Sequence, residues 1–195
     1  MGRPARFTDH DLIAATTRVA ARLGPAQTTL ALIAKEARAP VGSVYHRYPS
    51  KGALLAEAWI ESAAAFGLRF RAVLAQAKTI DQALQAALVT PQFARDNHAG
   101  GVILFTHRRD DFLDDAPEES RNRAAQQTSE VLHEVADAAK RLLSTDPRGR
   151  DKLSLALIGL PYGAVRMFLP HVVPPADLES VIAEAARAAV ASCIH

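Results

Sequence analysis

Hydrophobic positions recur every three or four residues along most of the chain, which is the spacing of amphipathic helices. In the first such segment Leu12 and Val19 lie on one face. Thr8, followed three residues later by Asp11, can cap the start of this helix, and the Gly24-Pro25 pair is typical of a helix end. The pattern therefore predicts a first helix over about residues 9–23.

The next segment predicts two short helices joined by a tight turn. Apolar residues at Leu30, Ile33 and Ala34 indicate a helix over about 29–37, and a third helix is expected over 41–48, between Pro40 and Pro49. Three helices in about 40 residues, the last two separated by a short turn, form a helix-turn-helix unit.

The rest of the chain also follows a helical pattern. A long helix is expected from Lys51, and a capping sequence at Thr79 predicts another over about 80–89. A helix from Pro91 is expected to be interrupted by the Gly100-Gly101 pair, and the acidic segment 110–118 is expected to be an exposed connection. Further helices are predicted over 118–143, over 150–169 with a kink at Pro161, and over about 175–193. We predict an all-α protein of about nine helices, with an N-terminal helix-turn-helix domain of residues 1–50 and a helical domain of residues 51–195.

Composition agrees with this fold class. The 195 residues include 49% hydrophobic and 23% charged residues, which is ordinary for a globular protein. The single cysteine, Cys193, cannot form an internal disulfide, and neither a signal peptide nor an apolar run long enough to cross a membrane is visible. The expected location is the cytoplasm, without membrane contact.

The net charge of +2 conceals an asymmetry. Residues 1–55 carry an excess of five positive charges, whereas the remainder carries an excess of three negative charges. A basic N-terminal segment on an acidic body suggests that this segment meets a polyanion.

Helix-turn-helix proteins place the second helix of the pair in the major groove of DNA. In the third helix Val44 and Tyr48 lie four residues apart and are expected to face the small core. Gly42 weakens the helix, which suggests close approach to a backbone. A basic N-terminal arm at Arg3 could enter the minor groove, or it could be a disordered tail. The candidate DNA-binding residues are Arg3, Thr28, Thr29, Arg38, Val41, Gly42, Ser43, Tyr45, His46, Arg47 and Lys51.

The segment TTLALIAKEARAPVGSVYHRYPSKGALL, residues 28–55, resembles the DNA-binding signature of TetR-family bacterial transcriptional regulators. The shared features are the paired threonines, Gly42-Ser43, Val44-Tyr45, an aromatic residue at Tyr48, and Ser50-Lys51. Three departures stand out: Arg38 replaces the usual glycine of the turn, Pro40 replaces the usual capping serine, and Val41 replaces a polar residue. Arg38 suggests a different turn or an added phosphate contact, and Val41 would suit contact with a thymine methyl group.

The resemblance implies a small-molecule pocket in the helical body and a homodimer formed by the last two helices, about 150–169 and 175–193. Pockets of this kind are mainly apolar with a few polar groups. The candidate ligand-binding residues are Trp59, Phe66, Phe70, Phe105, His107, Tyr162 and Arg166.

Other chemistry has little support in the sequence. The seven histidines show no metal-binding spacing, and no nucleophile motif or phosphate-binding loop is present, so no metal, no cofactor and no catalysis are expected. The prediction is a homodimeric repressor that binds a palindromic operator in double-stranded DNA and is released by an apolar or amphipathic effector. The alternative is a helical ligand-binding or scaffold protein that has lost specific DNA binding, motivated by Arg38, Pro40 and Val41.

Overall fold

The computed structural model describes residues 7–191, and all regular structure in that range is helical. Arg3 and Cys193 lie outside the described residues. The α-helices are α1 Asp9–Leu23, α2 Leu30–Glu36, α3 Val41–Arg47, α4 Lys51–Gln76, α5 Ile80–Leu84, α6 Val89–Asp96, α7 His98–Phe105, α8 Asp110–Leu113, α9 Glu118–Leu142, α10 Gly149–Ser154, α11 Leu160–Arg166 and α12 Leu178–Val190.

Two pairs of these helices are continuous. A 3₁₀ turn at Gln85–Leu88 joins α5 to α6, and a π-helical segment at Leu155–Gly159 joins α10 to α11. The described residues therefore form ten continuous helical units, close to the nine expected. The all-α prediction is confirmed.

Local caps explain why the predicted helix starts are accurate. Thr8 accepts a hydrogen bond from the Asp11 amide, and the Asp11 carboxylate accepts one in return from the Thr8 amide. At the starts of α2, α4 and α5, the hydroxyls of Thr29, Ser50 and Thr79 each accept a hydrogen bond from the amide three residues later. Each cap satisfies backbone amides that the first helical turn leaves without an intrahelical partner.

The expected interruption at Gly100-Gly101 is wrong. Both glycines lie inside α7, and the chain breaks instead at Asn97, whose side chain accepts a hydrogen bond from the Gly100 amide at 3.1 Å. A Cβ on Gly101 would lie 2.9 Å from the Cα of Ala94. The glycine therefore serves the close packing of α6 on α7 rather than a break in the helix.

The segment 110–118 is not simply an exposed connection. It begins with the one-turn helix α8, and both Phe112 and Leu113 are buried against α4 and its neighbours. The kink expected at Pro161 takes the form of the π-helical segment just before it. Because proline has no amide hydrogen, regular i→i−4 bonding cannot pass through residue 161.

The interior consists of three clusters. The first joins Leu12, Ile33 and Val44 of the helix-turn-helix unit to Leu54 of α4, so the small N-terminal core reaches into the long helix. The second lies around Trp59 and the third, which is the largest, lies around Phe66 and Phe70. Helix α4 contributes to all three, so it joins the N-terminal unit to the body.

Candidate nucleic-acid interface and ligand cavity

The turn between α2 and α3 is closed by a Schellman motif. The Ala39 amide donates to the Ala34 carbonyl at 2.9 Å, and the Arg38 amide donates to the Lys35 carbonyl at 3.2 Å. This geometry requires a left-handed residue after the helix end, and Arg38 adopts it with φ of 55°. Arg38 thus occupies the conformation that glycine usually provides, so the turn itself is not changed by the replacement.

Helix α3 presents a distinct outer face. Val44 is fully buried and Tyr48 is partly buried against the same core, as expected. On the opposite side Tyr45 is 58% exposed and Val41 is 43% exposed, and Gly42 and His46 are also exposed. Ser43 is intermediate, and Pro40 provides no side-chain cap.

Three of the candidate DNA-binding residues make contacts within the protein. Thr28 is fully buried, and its hydroxyl donates to the Gly24 carbonyl at 2.8 Å, so this side chain stabilises the α1–α2 loop. Arg47 donates to the Phe7 carbonyl at 3.1 Å and pairs with Asp9 at 3.3 Å. The ammonium of Lys51 lies 3.4 Å from the Pro25 carbonyl, which connects the start of α4 to the same loop.

Thr29 and Arg38 are at the surface. Thr29 caps α2 with its hydroxyl, and the side chain of Arg38 is exposed. A Cβ placed on Gly42 would meet no atom within 4 Å. The close approach expected at Gly42 is therefore not made by any described residue of this chain.

A cavity of about 310 Å³ lies between α4 and α9 in the body. It includes three of the predicted residues, Trp59, Phe66 and Tyr162. Its lining residues are Trp59, Ala63, Phe66, Leu104, Arg109, Gln127, Thr128, Val131, Leu132, Ile158 and Tyr162. Most of them are apolar, as in many sites for small organic ligands.

Aromatic rings extend from this cavity into the core. The Phe66 ring centroid lies 5.6 Å from that of Phe70 and 5.4 Å from that of Phe105, and Phe105 lies 4.7 Å from Tyr162. Phe70 and Phe105 thus support the wall behind the lining residues. Burial raises the pKa of the Tyr162 hydroxyl, which keeps it neutral.

The other two ligand candidates lie elsewhere. His107 lines a separate cavity of about 460 Å³ at the junction of the α1–α2 loop, Lys51 and α8, and Arg166 is exposed on α11. Burial lowers the pKa of His107, and the Asp111 carboxylate partly opposes this shift. Neither side chain contacts the cavity around Trp59.

A sequence model described as "Bacterial regulatory proteins, tetR family" matches residues 12–58, which include α2, α3 and the exposed face just described. The N-terminal domain of the chain therefore matches the tetR family, as the signature in residues 28–55 predicted. A search of curated proteins found no match.

Three solved structures illustrate that the fold is shared over nearly the whole chain. The transcriptional regulator FadR from Bacillus subtilis, in complex with stearoyl-CoA, is 17% identical with a TM-score of 0.74, covering 96% of this chain and 100% of FadR. A tetR-family regulatory protein from Rhodococcus RHA1 is 18% identical with a TM-score of 0.69, and the match covers 95% of this chain and 96% of that protein. The multidrug binding protein EbrR, complexed with imidazole, is 19% identical with a TM-score of 0.59, covering 96% of each chain. At sequence identities this low, the three comparisons show a shared fold and nothing more.

Several lining residues of the cavity around Trp59 were not anticipated from the sequence. Arg109, Gln127 and Thr128 are polar residues on otherwise ordinary solvent-facing segments. Helix α9 is strongly amphipathic, but its pattern does not indicate which polar residues at the boundary of the apolar face point toward α4.

Within residues 7–191, no group of three or more histidine, cysteine, aspartate or glutamate side chains is arranged to hold a metal ion. None of the helices in this range combines the length and the hydropathy needed to span a bilayer.

Proposed function

We propose that this TetR-family regulator is a homodimeric repressor that binds a palindromic operator and is released by a small amphipathic effector. Residues 1–50 bind DNA, and residues 51–195 bind the effector and form the dimer. The regulator acts on DNA in the cytoplasm, and this function requires no catalytic step.

The observation that carries the proposal is the outer face of α3. Val41, Gly42, Tyr45 and His46 are exposed together on one side of a helix whose other side is anchored by the fully buried Val44. A helix held in this way can enter a major groove without exposing its own core. Gly42 then allows a sugar-phosphate backbone to approach more closely than a side chain would permit.

The dimer is supported by an exposed apolar face on the last helices. Leu155, Gly159, Gly163 and Met167 are all exposed and recur every four residues, so they lie along one side of the α10–α11 unit. Val181 on α12 is 60% exposed and Met167 is 81% exposed. Small and apolar residues on such a face favour close packing against a second copy.

The effector site is the cavity around Trp59. Relatives of this fold bind chemically different molecules, namely stearoyl-CoA in FadR and imidazole in EbrR. Helix α4 carries Trp59 and Phe66 into the cavity and begins at Lys51, against the loop that precedes α2. An effector that binds better when α4 is displaced would shift the dimer toward a spacing of its two α3 helices that does not fit DNA.

A mobility-shift titration with the DNA upstream of the protein's own gene, at low salt, tests the proposal. We expect a shift and a footprint of two half-sites about one helical turn, roughly 34 Å, apart. Tyr45→Phe should weaken binding to all sites alike, because it removes one phosphate hydrogen bond, whereas Val41→Ser should change the preferred base. Absence of binding to any palindrome in that region would favour the alternative, a ligand-binding protein that has lost specific DNA recognition.

A further inference from the structure

The lining of the cavity around Trp59 combines exposed and buried residues. The side chain of Arg109 is 45% exposed, and Leu132 is 47% exposed. Trp59 and Phe66 are buried, with exposed fractions of 7% and 5%. The cavity is therefore lined both by an arginine that reaches solvent and by buried aromatic rings.

Among the described residues, Arg109 is the one charged residue in the cavity lining. Within residues 7–191 its one ionic partner is the neighbouring Asp110, with 3.7 Å between the Arg109 Nε and the Asp110 Oδ1, too far for a hydrogen bond. The guanidinium thus keeps its donors available, and it offers a planar pair of N–H groups that matches a carboxylate.

Two of the other lining residues carry neutral hydrogen-bond donors. The Tyr162 hydroxyl and the Gln127 amide line the cavity, and neither makes a hydrogen bond to another described residue. No carboxylate side chain of residues 7–191 lines the cavity, so no anionic side chain in this range would attract a cation or repel an anion there. Donors without an acceptor partner favour a ligand that brings the acceptor itself.

We infer that the cavity binds an amphiphile with a single carboxylate headgroup at Arg109 and a hydrocarbon body against Trp59, Phe66 and Tyr162. This inference rests on the proposed function, because it names the chemical class of the effector. A volume of about 310 Å³ limits the ligand to modest size, near the lower end of the ~300–1,000 Å³ range of ligand pockets. A purely apolar ligand would leave Arg109 unused, and a cationic one would be repelled by it.

Fluorescence of Trp59 provides a direct readout, since it is the one tryptophan of the chain and lines the cavity. The full-length protein is titrated, without DNA, with decanoate and decylamine below their micelle-forming concentrations and with 1-decanol below its aqueous solubility. Decanoate is expected to bind at least about tenfold more tightly than 1-decanol, because a charged hydrogen bond to Arg109 adds to the same hydrocarbon contact. Decylamine is expected to bind more weakly than either.

Arg109→Gln is expected to reduce decanoate affinity about tenfold and to leave 1-decanol affinity unchanged. The matched control is Arg108→Gln, which removes the neighbouring arginine. The Arg108 side chain is 82% exposed and does not line the cavity, and its Nη2 lies 3.8 Å from the Asp110 Oδ2. The control should change neither affinity. Arg109→Lys keeps the charge without the planar donor pair, so its decanoate affinity should lie between those of the wild type and Arg109→Gln. This variant provides the test if Arg109→Gln does not fold.

The inference is overturned if 1-decanol binds the wild type as tightly as decanoate. It is equally overturned if Arg108→Gln and Arg109→Gln weaken decanoate alike, or if decanoate leaves the Trp59 emission unchanged up to its micelle-forming concentration. These titrations contain no DNA, so they are independent of operator binding. If decanoate binds through Arg109 but does not release an operator fragment, the ligand class stands and the release mechanism fails.

Discussion

Arg123 of α9 donates two hydrogen bonds to the Glu57 carboxylate of α4, from Nη1 to Oε1 at 3.0 Å and from Nη2 to Oε2 at 2.9 Å. The Ser120 hydroxyl donates to the same Oε1 at 3.1 Å, and the carboxylate raises the pKa of Arg123. One turn further along, α9 provides Gln127 and Thr128 to the cavity wall. This contact therefore fixes the two helices that enclose the cavity on the side nearest the DNA-binding unit.

Replacing Arg123 by alanine should lower the free energy of unfolding by about 1 kcal/mol. A bidentate ion pair with one half-buried partner stabilises the fold more than an ordinary exposed pair does. Urea denaturation measures this loss. Arg121→Ala is the control: Arg121 is exposed on the same helix and makes no ion pair within residues 7–191. A double-mutant cycle with Glu57→Gln should give a coupling energy of the same size, and additivity of the two substitutions would show that the pair contributes nothing.

Gly52 and Gly42 are both second residues of a helix, but their surroundings differ completely. A Cβ on Gly52 would lie 2.2 Å from the Asp115 carbonyl oxygen, whereas a Cβ on Gly42 would meet nothing within 4 Å. Gly52→Ala should therefore destabilise the protein by roughly 1–3 kcal/mol, since backbone rather than a flexible side chain must move. Gly42→Ala should stabilise it by about 0.5 kcal/mol.

Thermal or urea denaturation of both variants checks the difference in sign. Gly42→Ala has a second expected outcome: it should weaken operator binding although the fold becomes more stable, because the added methyl group occupies the space needed by the DNA backbone. If Gly42→Ala binds DNA as tightly as wild type, close approach at this residue is excluded.

Arg38 is the one non-glycine residue in the described chain with positive φ, at 55°. A left-handed conformation costs a residue with a Cβ about 1–2 kcal/mol, partly offset by the greater freedom of glycine in the unfolded chain. Arg38→Gly should thus stabilise the protein by about 0.5–1 kcal/mol in urea denaturation. Lys35→Gly, at an exposed position within α2, should destabilise it by about 1 kcal/mol. An equal loss of stability in Arg38→Gly and Lys35→Gly would contradict this interpretation of the turn.

The accuracy of the sequence predictions follows from how local each signal is. Helix starts at Thr8, Thr29 and Ser50 depend on residues within one turn, so the sequence displays their cause directly. Thr28 was a candidate as one of the paired threonines before α2, and its hydroxyl donates to the Gly24 carbonyl four residues away, a contact that the pairing alone does not reveal. The cavity depends on packing between α4 and α9, which are distant in sequence, so the presence of Arg109 in its lining could not be derived from periodicity.

His107 makes the stability of the protein sensitive to acid. Burial lowers its pKa in the folded state from the ordinary value of 6.5, and Asp111 opposes this shift. Below about pH 6.5 the unfolded chain therefore binds more protons than the folded one, so stability falls as the pH decreases toward the folded pKa. His107→Gln should flatten this part of the curve, measured as the urea midpoint between pH 7 and pH 5. His171→Gln, at an exposed position, should keep the wild-type slope; a slope unchanged by His107→Gln would assign the acid sensitivity to other groups.

Val181 tests the proposed dimer, because it is 60% exposed on α12, and α12 packs against the α10–α11 unit. Val181→Lys would place a charge in the contact between two copies and should raise the dimer dissociation constant about a hundredfold, as expected for burial of an unpaired charge. Sedimentation velocity across micromolar concentrations measures this shift toward the 20.9 kDa monomer. Leu68→Lys, which replaces an apolar side chain 68% exposed on α4, should leave the dimer intact. If Leu68→Lys dissociates the dimer and Val181→Lys does not, the interface lies on α4 rather than on the last helices.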